Sequence, residues 1–178
     1  MRSELVGHDP DRTDWQHDLA VSLTRIGDLL RTQQDFSGTR CWYEQALNAA
    51  RRLVEREPGR TDWIRELALS YERLGDVLMA LDECAEGFKF FEQALKTRRR
   101  LAAQQPDLAG LELEMVAPLM RISTVESLST ALAILLRLDA EGRLTDRRYK
   151  EDWIPQVRQL LTRANELVRT CRTCGGTP

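Results

Sequence analysis

Residues 10–57, PDRTDWQHDLAVSLTRIGDLLRTQQDFSGTRCWYEQALNAARRLVERE, align without a gap on residues 58–105, PGRTDWIRELALSYERLGDVLMALDECAEGFKFFEQALKTRRRLAAQQ. Nineteen of the 48 aligned positions are identical, which is enough to establish an internal repeat. The shared blocks are Arg12 to Trp15 with Arg60 to Trp63, Gly27-Asp28 with Gly75-Asp76, Glu44 to Leu47 with Glu92 to Leu95, and Arg51 to Leu53 with Arg99 to Leu101. A further unit starts at Pro106, where Arg121 and Ile122 keep step with Arg73 and Leu74 before the likeness decays. Terminal repeats diverge in this way because one of their faces meets water instead of a neighbour.

Within each unit the apolar residues recur with helical spacing. Trp63, Leu67, Tyr71, Leu74, Leu78 and Leu81 form one stripe, and Trp15, Leu19, Leu23, Ile26 and Leu30 repeat it. Looser stripes run through Phe36, Tyr43, Ala46, Ala50 and Leu53, and through Cys84, Phe88, Phe91, Leu95 and Ala102. Each unit therefore reads as two helices of about 20 residues, or about 30 Å, separated by QQDFSG or ALDECAEG. Pro10, Pro58 and Pro106 lack an amide proton and disfavour helix just before them, so the second helices should end near Arg56 and Gln104. Thr13 and Thr61 are then expected to cap the following helices, with Asp14 and Asp62 near the positive helix ends.

Beyond Arg121 the pattern loosens. Pro118 stands where Ser22 and Ser70 lie mid-helix, so this helix should kink or begin after a short separate turn. The run LSTALAILLRL continues helically to Leu138, DAEGRLTDRR makes a polar break, and a last helix spans Tyr149 to Cys171. The expected organisation is a tail at 1–9, repeats at 10–57 and 58–105, a degenerate repeat with a capping helix at 106–171, and a tail at 172–178.

Composition narrows the function classes. The 178 residues carry a formal charge of −2, with 26 basic and 28 acidic side chains, so no net field favours nucleic acid or an anionic membrane. Lysine occurs only at Lys89, Lys96 and Lys150, and the other basic side chains are arginine. No apolar run approaches the roughly 20 residues that cross a bilayer, and the opening MRSELVGHDPDR lacks the apolar stretch of a secretory signal. A cytoplasmic protein is expected, and four cysteines are too few for a disulfide framework.

Leu74-Gly75, Gly87, Phe91 and Ala94, and again Ile26-Gly27, Thr39, Tyr43 and Ala46, match the spacing of the tetratricopeptide repeat, which this chain resembles. The small residues let helix backbones approach and the aromatic fills the hole between hairpins. The common repeat of this family is 34 residues long. Here Arg51 and Arg99 stand where its closing proline falls, and the proline returns seven residues later, as in longer bacterial repeats and, more distantly, kinesin light chains. Seven residues nearly restore the same helical face, so lengthening both helices at one end preserves their interface. The resemblance implies an all-α, right-handed α-solenoid of about three antiparallel helical hairpins.

It also implies a non-catalytic scaffold or adaptor that binds a partner protein or peptide through the concave face of the first helices, possibly as a subunit of a larger complex. Carried over by position, that face holds Val21, Thr24, Arg25, Asp28 and Arg31, then Leu69, Glu72, Arg73, Asp76 and Met79, then Met120, Arg121 and Thr124. Arg25, Arg73 and Arg121 recur every 48 residues, which suits an acidic segment. The competing and stronger account of the first two is a salt bridge to Asp28 or Asp76 three residues on, worth about 0–1 kcal/mol when exposed. At the third rung Thr124 replaces the acid. An alternative implied by the resemblance is a regulatory or sensor segment of a bacterial signalling or defence assembly containing a kinase, a nucleotide-dependent switch or a caspase-like protease.

Other features read as structural. Trp15, Trp63 and Trp153 open apolar stripes and should fill hairpin ends. Lys96 with Arg98, Arg99 and Arg100 should form a solvated convex face. Cys171 and Cys174 form a lone CxxC, half of a tetrahedral zinc site; with no second pair, the third reading of a zinc-binding fragment is the weakest and no cofactor is expected. His8 and His17 lie near one end and the carboxylates are spread periodically, so no acid–base centre is expected. No phosphate-binding glycine loop, nucleophile elbow or HExxH pattern occurs.

Overall fold

The computed structural model describes residues 13–105 and 110–173, with the side chains of residues 14 and 170–173 set aside. The chain divides into two compact units, Met1–Gln104 and Gln105–Pro178. All described regular structure is helical.

The first unit holds two helical hairpins: α1 (Thr13–Thr32) with α2 (Phe36–Arg56), and α3 (Thr61–Ala80) with α4 (Cys84–Gln104). Both second helices stop where the prolines predict. The turns inside the hairpins use one left-handed residue each, Gln34 and Asp82, with φ of 61° and 62°. Asp35 caps α2 by accepting a 2.9 Å bond from the Gly38 amide. Thr61 does not cap α3: Arg60 occupies that position without a side-chain cap bond, and Thr61 is the first helical residue. Asp62 lies in the first turn, where the helix dipole favours a carboxylate.

Helix α2 packs against both α1 and α3. Tyr43, Leu47 and Ala50 of α2 join Leu67, Tyr71, Leu74, Val77 and Leu78 of α3 and Ala94 of α4 in one buried cluster. Ala20 and Leu23 of α1 pack with Ala46 and Ala49 of α2. The conserved-by-repeat glycines sit at the crossings: a Cβ on Gly27 would lie 2.5 Å from the Tyr43 ring, and one on Gly75 would lie 2.5 Å from the Phe91 ring. Ile26 and Leu29 are 38% and 58% exposed, whereas their counterparts Leu74 and Val77 are each 1% exposed because α2 covers them. Trp63 is buried as expected, with the Arg60 guanidinium 4.1 Å above its ring and the His17 ring 4.6 Å away.

The second unit contains α5 (Leu111–Glu114), α6 (Val116–Ile122), α7 (Val125–Ala140), a π-helical turn (Tyr149–Trp153) and α8 (Ile154–Thr173). Pro118 lies in the first turn of α6, where a missing amide proton breaks no helical bond. The 48-residue spacing would start the second helix of this unit near residue 132, but α7 begins at Val125. Ser123 adopts a left-handed conformation (φ 54°), and Thr124 and Ser127 form a reciprocal capping box that starts α7 there. Helices α6 and α8 both pack on α7.

Candidate functional site

On α1 and α3, four of the expected face residues gather around one hydroxyl or beside it. The Tyr43 hydroxyl donates a 2.6 Å hydrogen bond to Asp28. Burial and the Asp28 carboxylate push the Tyr43 pKa up to about 12, and the nearby Arg31 and Arg73 guanidinium groups oppose that rise. Cations from two successive first helices thus approach the same spot. Arg73 also reaches back to Glu66 at 3.2 Å. Asp28 is therefore held by a cross-helix hydroxyl, and the acid seen beside Arg73 is Glu66, seven residues earlier, where the sequence suggested a partner at three.

The other expected residues divide by exposure. Arg25 and Arg31 are exposed, and Val21, Leu69, Asp76 and Met79 are half-buried. Thr24 is buried. Glu72 requires a correction: it is 5% exposed and accepts bonds of 2.9 and 2.6 Å from Arg98, so it belongs to the interior of the α3–α4 hairpin. Arg98 is corrected with it, since it is 8% exposed, while Arg99, Arg100 and Lys96 face water as expected. Helical spacing explains this, because Arg98 continues the stripe of Phe91, Ala94, Leu95 and Leu101.

In the second unit, Met120 and Arg121 line a cleft of about 340 Å³ with Ala117, Trp153, Gln156 and Leu160. Trp153 is half-buried with its ring edge-on to Tyr149 at 5.0 Å, so it is not the enclosed core residue its sequence position suggests. Thr124 serves α7, its hydroxyl accepting a 3.1 Å bond from the Ser127 amide. The sequence pattern missed Ala117, Trp153, Gln156 and Leu160 as a group because they come from helices whose pairing the 48-residue period does not specify. The CxxC of Cys171 and Cys174 lies outside the described residues, and among these no cluster of three or more histidine, cysteine or acidic side chains could hold a metal.

Interhelical ion pairs elsewhere are structural. Arg40 of α2 donates to both carboxylate oxygens of Glu83 at 2.8 and 2.7 Å and to Glu44 at 2.8 Å, tying α2 to the α3–α4 turn. These carboxylates raise the Arg40 pKa above its ordinary value, the Glu44 bond most.

The tetratricopeptide repeat family model matches residues 67–107. Together with the paired helices and the glycine–aromatic crossings, this match shows that the chain carries a tetratricopeptide repeat, a class of scaffold for protein–protein interaction whose domains are generally non-catalytic. No curated protein and no solved structure matches the chain. No helix among the described residues is long and apolar enough to cross a membrane.

Proposed function

We propose that this chain is a non-catalytic adaptor that captures an acidic segment of a partner protein on the α1 and α3 face. The observation that carries this reading is the approach of Arg31 and Arg73, from successive first helices, to the Tyr43–Asp28 pair. One carboxylate there is already matched by a hydroxyl, while Arg25 and Arg31 remain exposed beside it. Guanidinium groups donate in a planar fork that suits carboxylates, and a partner carrying several of them would gain charge-assisted bonds that a surface pair within the chain does not saturate. Half-buried Leu69 and Met79 add apolar contact, and Asp76 sets register against a misplaced acid.

The test is capture from native lysate by the immobilised full chain, identified by mass spectrometry, with an Arg25→Glu/Arg31→Glu variant alongside. Both positions are exposed, so the far-ultraviolet circular dichroism and the urea midpoint should hold. Recovery of the specific partner should fall about tenfold or more, as expected when fully engaged charges are reversed. Equal recovery by both proteins would remove this face from the reading.

A further inference from the structure

We infer that the cleft between α6 and the start of α8 is a second binding site, built to take one bulky apolar side chain of a protein segment that carries a carboxylate next to it. The inference rests on the scaffold reading only in taking a protein segment as the occupant. Its residues lie outside the α1 and α3 face.

The walls follow from two helical faces. Ala117, Met120 and Arg121 are spaced i, i+3, i+4 on α6, and Trp153, Gln156 and Leu160 are spaced i, i+3, i+7 across the π-helical turn and α8. Both helices pack on α7 while their contact with each other is slight, so the gap persists instead of closing into core. The small Ala117 sets the floor depth, where a larger residue would fill the space. The π turn ending at Trp153 widens the backbone at the point where the indole enters the wall, a distortion found often at functional sites.

The lining chemistry selects the occupant. Trp153, Met120 and Leu160 supply an aromatic face, a polarizable thioether and a branched apolar end, a set that adapts to a leucine, methionine or phenylalanine side chain. Arg121 is the single charged residue of the six and no carboxylate lines the cleft. It also stands in the last turn of α6, and a guanidinium carries five donors, more than one contact consumes. Gln156 offers both donor and acceptor for the backbone of a bound segment. A volume of about 340 Å³ is at the small end of ligand sites, which span roughly 300–1,000 Å³, so it accommodates one large side chain and not an extended cofactor. Exposed Arg121 and Gln156 leave the outer side open, which admits a side chain still attached to its chain.

The probe is a fluorescein-labelled, C-terminally amidated heptapeptide with one central phenylalanine flanked by glutamates, titrated into the full chain by fluorescence anisotropy. Two control peptides replace the phenylalanine by alanine or the glutamates by lysines. Trp153→Ala risks unfolding the wall, so the protein variants are Arg121→Glu, at an exposed position, and Ala117→Leu, which fills the cleft from its floor; circular dichroism establishes that both fold. Saturable binding of the phenylalanine–glutamate peptide is expected, weakened about tenfold by either control substitution and by either protein variant. Absence of saturable binding at about 1 mM peptide, equal binding of the alanine peptide, or unchanged binding by folded Arg121→Glu or Ala117→Leu overturns the inference. Because partner capture reads Arg25 and Arg31, failure at the cleft with capture still dependent on those residues overturns this site alone.

Discussion

Gly75 shows how a single atom sets the separation of two helices. Its missing Cβ would sit 2.5, 2.8 and 3.0 Å from three carbons of the Phe91 ring, which is 1% exposed and has nowhere to move. Alanine is favoured over glycine in a helix by about 1 kcal/mol. Overpacking of a rigid core costs about 1–3 kcal/mol and wins, so Gly75→Ala should lower the urea midpoint, and Gly27→Ala should do the same against Tyr43. Gly59→Ala is the opposite case: nothing lies within 4 Å of its added Cβ, and restricting the unfolded chain should stabilise by about 0.4–1 kcal/mol. A destabilised Gly59→Ala or a stabilised Gly75→Ala would show that backbone entropy and packing have been weighed wrongly. Tyr43 adds a pH signature. Its folded pKa of about 12 lies above the ordinary 10, so the fold favours the neutral phenol. Stability from this group is complete below about pH 10 and is lost as pH rises toward 12, up to ~2 kcal/mol. Tyr43→Phe should therefore cost about 1 kcal/mol at neutral pH through the lost bond to Asp28. Between about pH 9 and about pH 11.5 it should lose less stability than the parent, measured by urea unfolding. The glycine–aromatic crossings were legible because they obey a spacing along one chain segment. The Tyr43–Asp28 bond was not, because the same aspartate repeats as Asp76 opposite Phe91, which has no hydroxyl.

At the scale of the helix, the Glu72–Arg98 pair separates what charge suggests from what periodicity dictates. Lys96, Arg98, Arg99 and Arg100 look like one basic surface, yet a helix turns about 100° per residue and sends the third of these positions inward. The inward signal was present in the sequence, since Gly87, Phe91, Ala94, Arg98 and Leu101 follow three- and four-residue steps. Glu72 was harder to place because it borders the stripe of Ala68, Tyr71 and Leu78 without continuing it. Both side chains are less than a tenth exposed, so each charge depends on the other for solvation. Arg98→Met or Glu72→Gln alone should destabilise by about 3–5 kcal/mol by leaving a buried charge or its donors poorly matched. Arg98→Met combined with Glu72→Leu should recover most of that loss, because an apolar pair has no desolvation cost. A double variant as unstable as the sum of the singles would mean that the pair contributes through packing shape and not through charge.

Across the whole molecule, the period that reveals the fold also marks where sequence reasoning stops. In Met1–Gln104 the helices start 48 residues apart, at Thr13 and Thr61 and again at Phe36 and Cys84, because each hairpin answers the same packing demand. In the second unit the apolar spacing remains helical, but a left-handed Ser123 and the Thr124–Ser127 capping box decide where α7 begins. Such local bonds are worth about 1 kcal/mol each and outrank a weak repeat signal once neighbouring interfaces no longer enforce the period. The site follows the same division: the cations near Tyr43 come from aligned positions, whereas the Trp153 cleft arises from a helix pairing that no period encodes. The first unit, by contrast, closes its own core, since α2, α3 and α4 share the cluster from Tyr43 to Ala94 and Arg40 ties α2 to the following turn. Residues Met1–Gln104 expressed alone should therefore keep their helical circular dichroism and unfold in urea with a single cooperative transition. Gly75→Ala should shift that transition by the same free energy as in the full chain, because its clash lies wholly inside the unit. A fragment that melts gradually, or in which Gly75→Ala has no effect, would show that the hairpins gain their fixed packing only from the remainder of the chain.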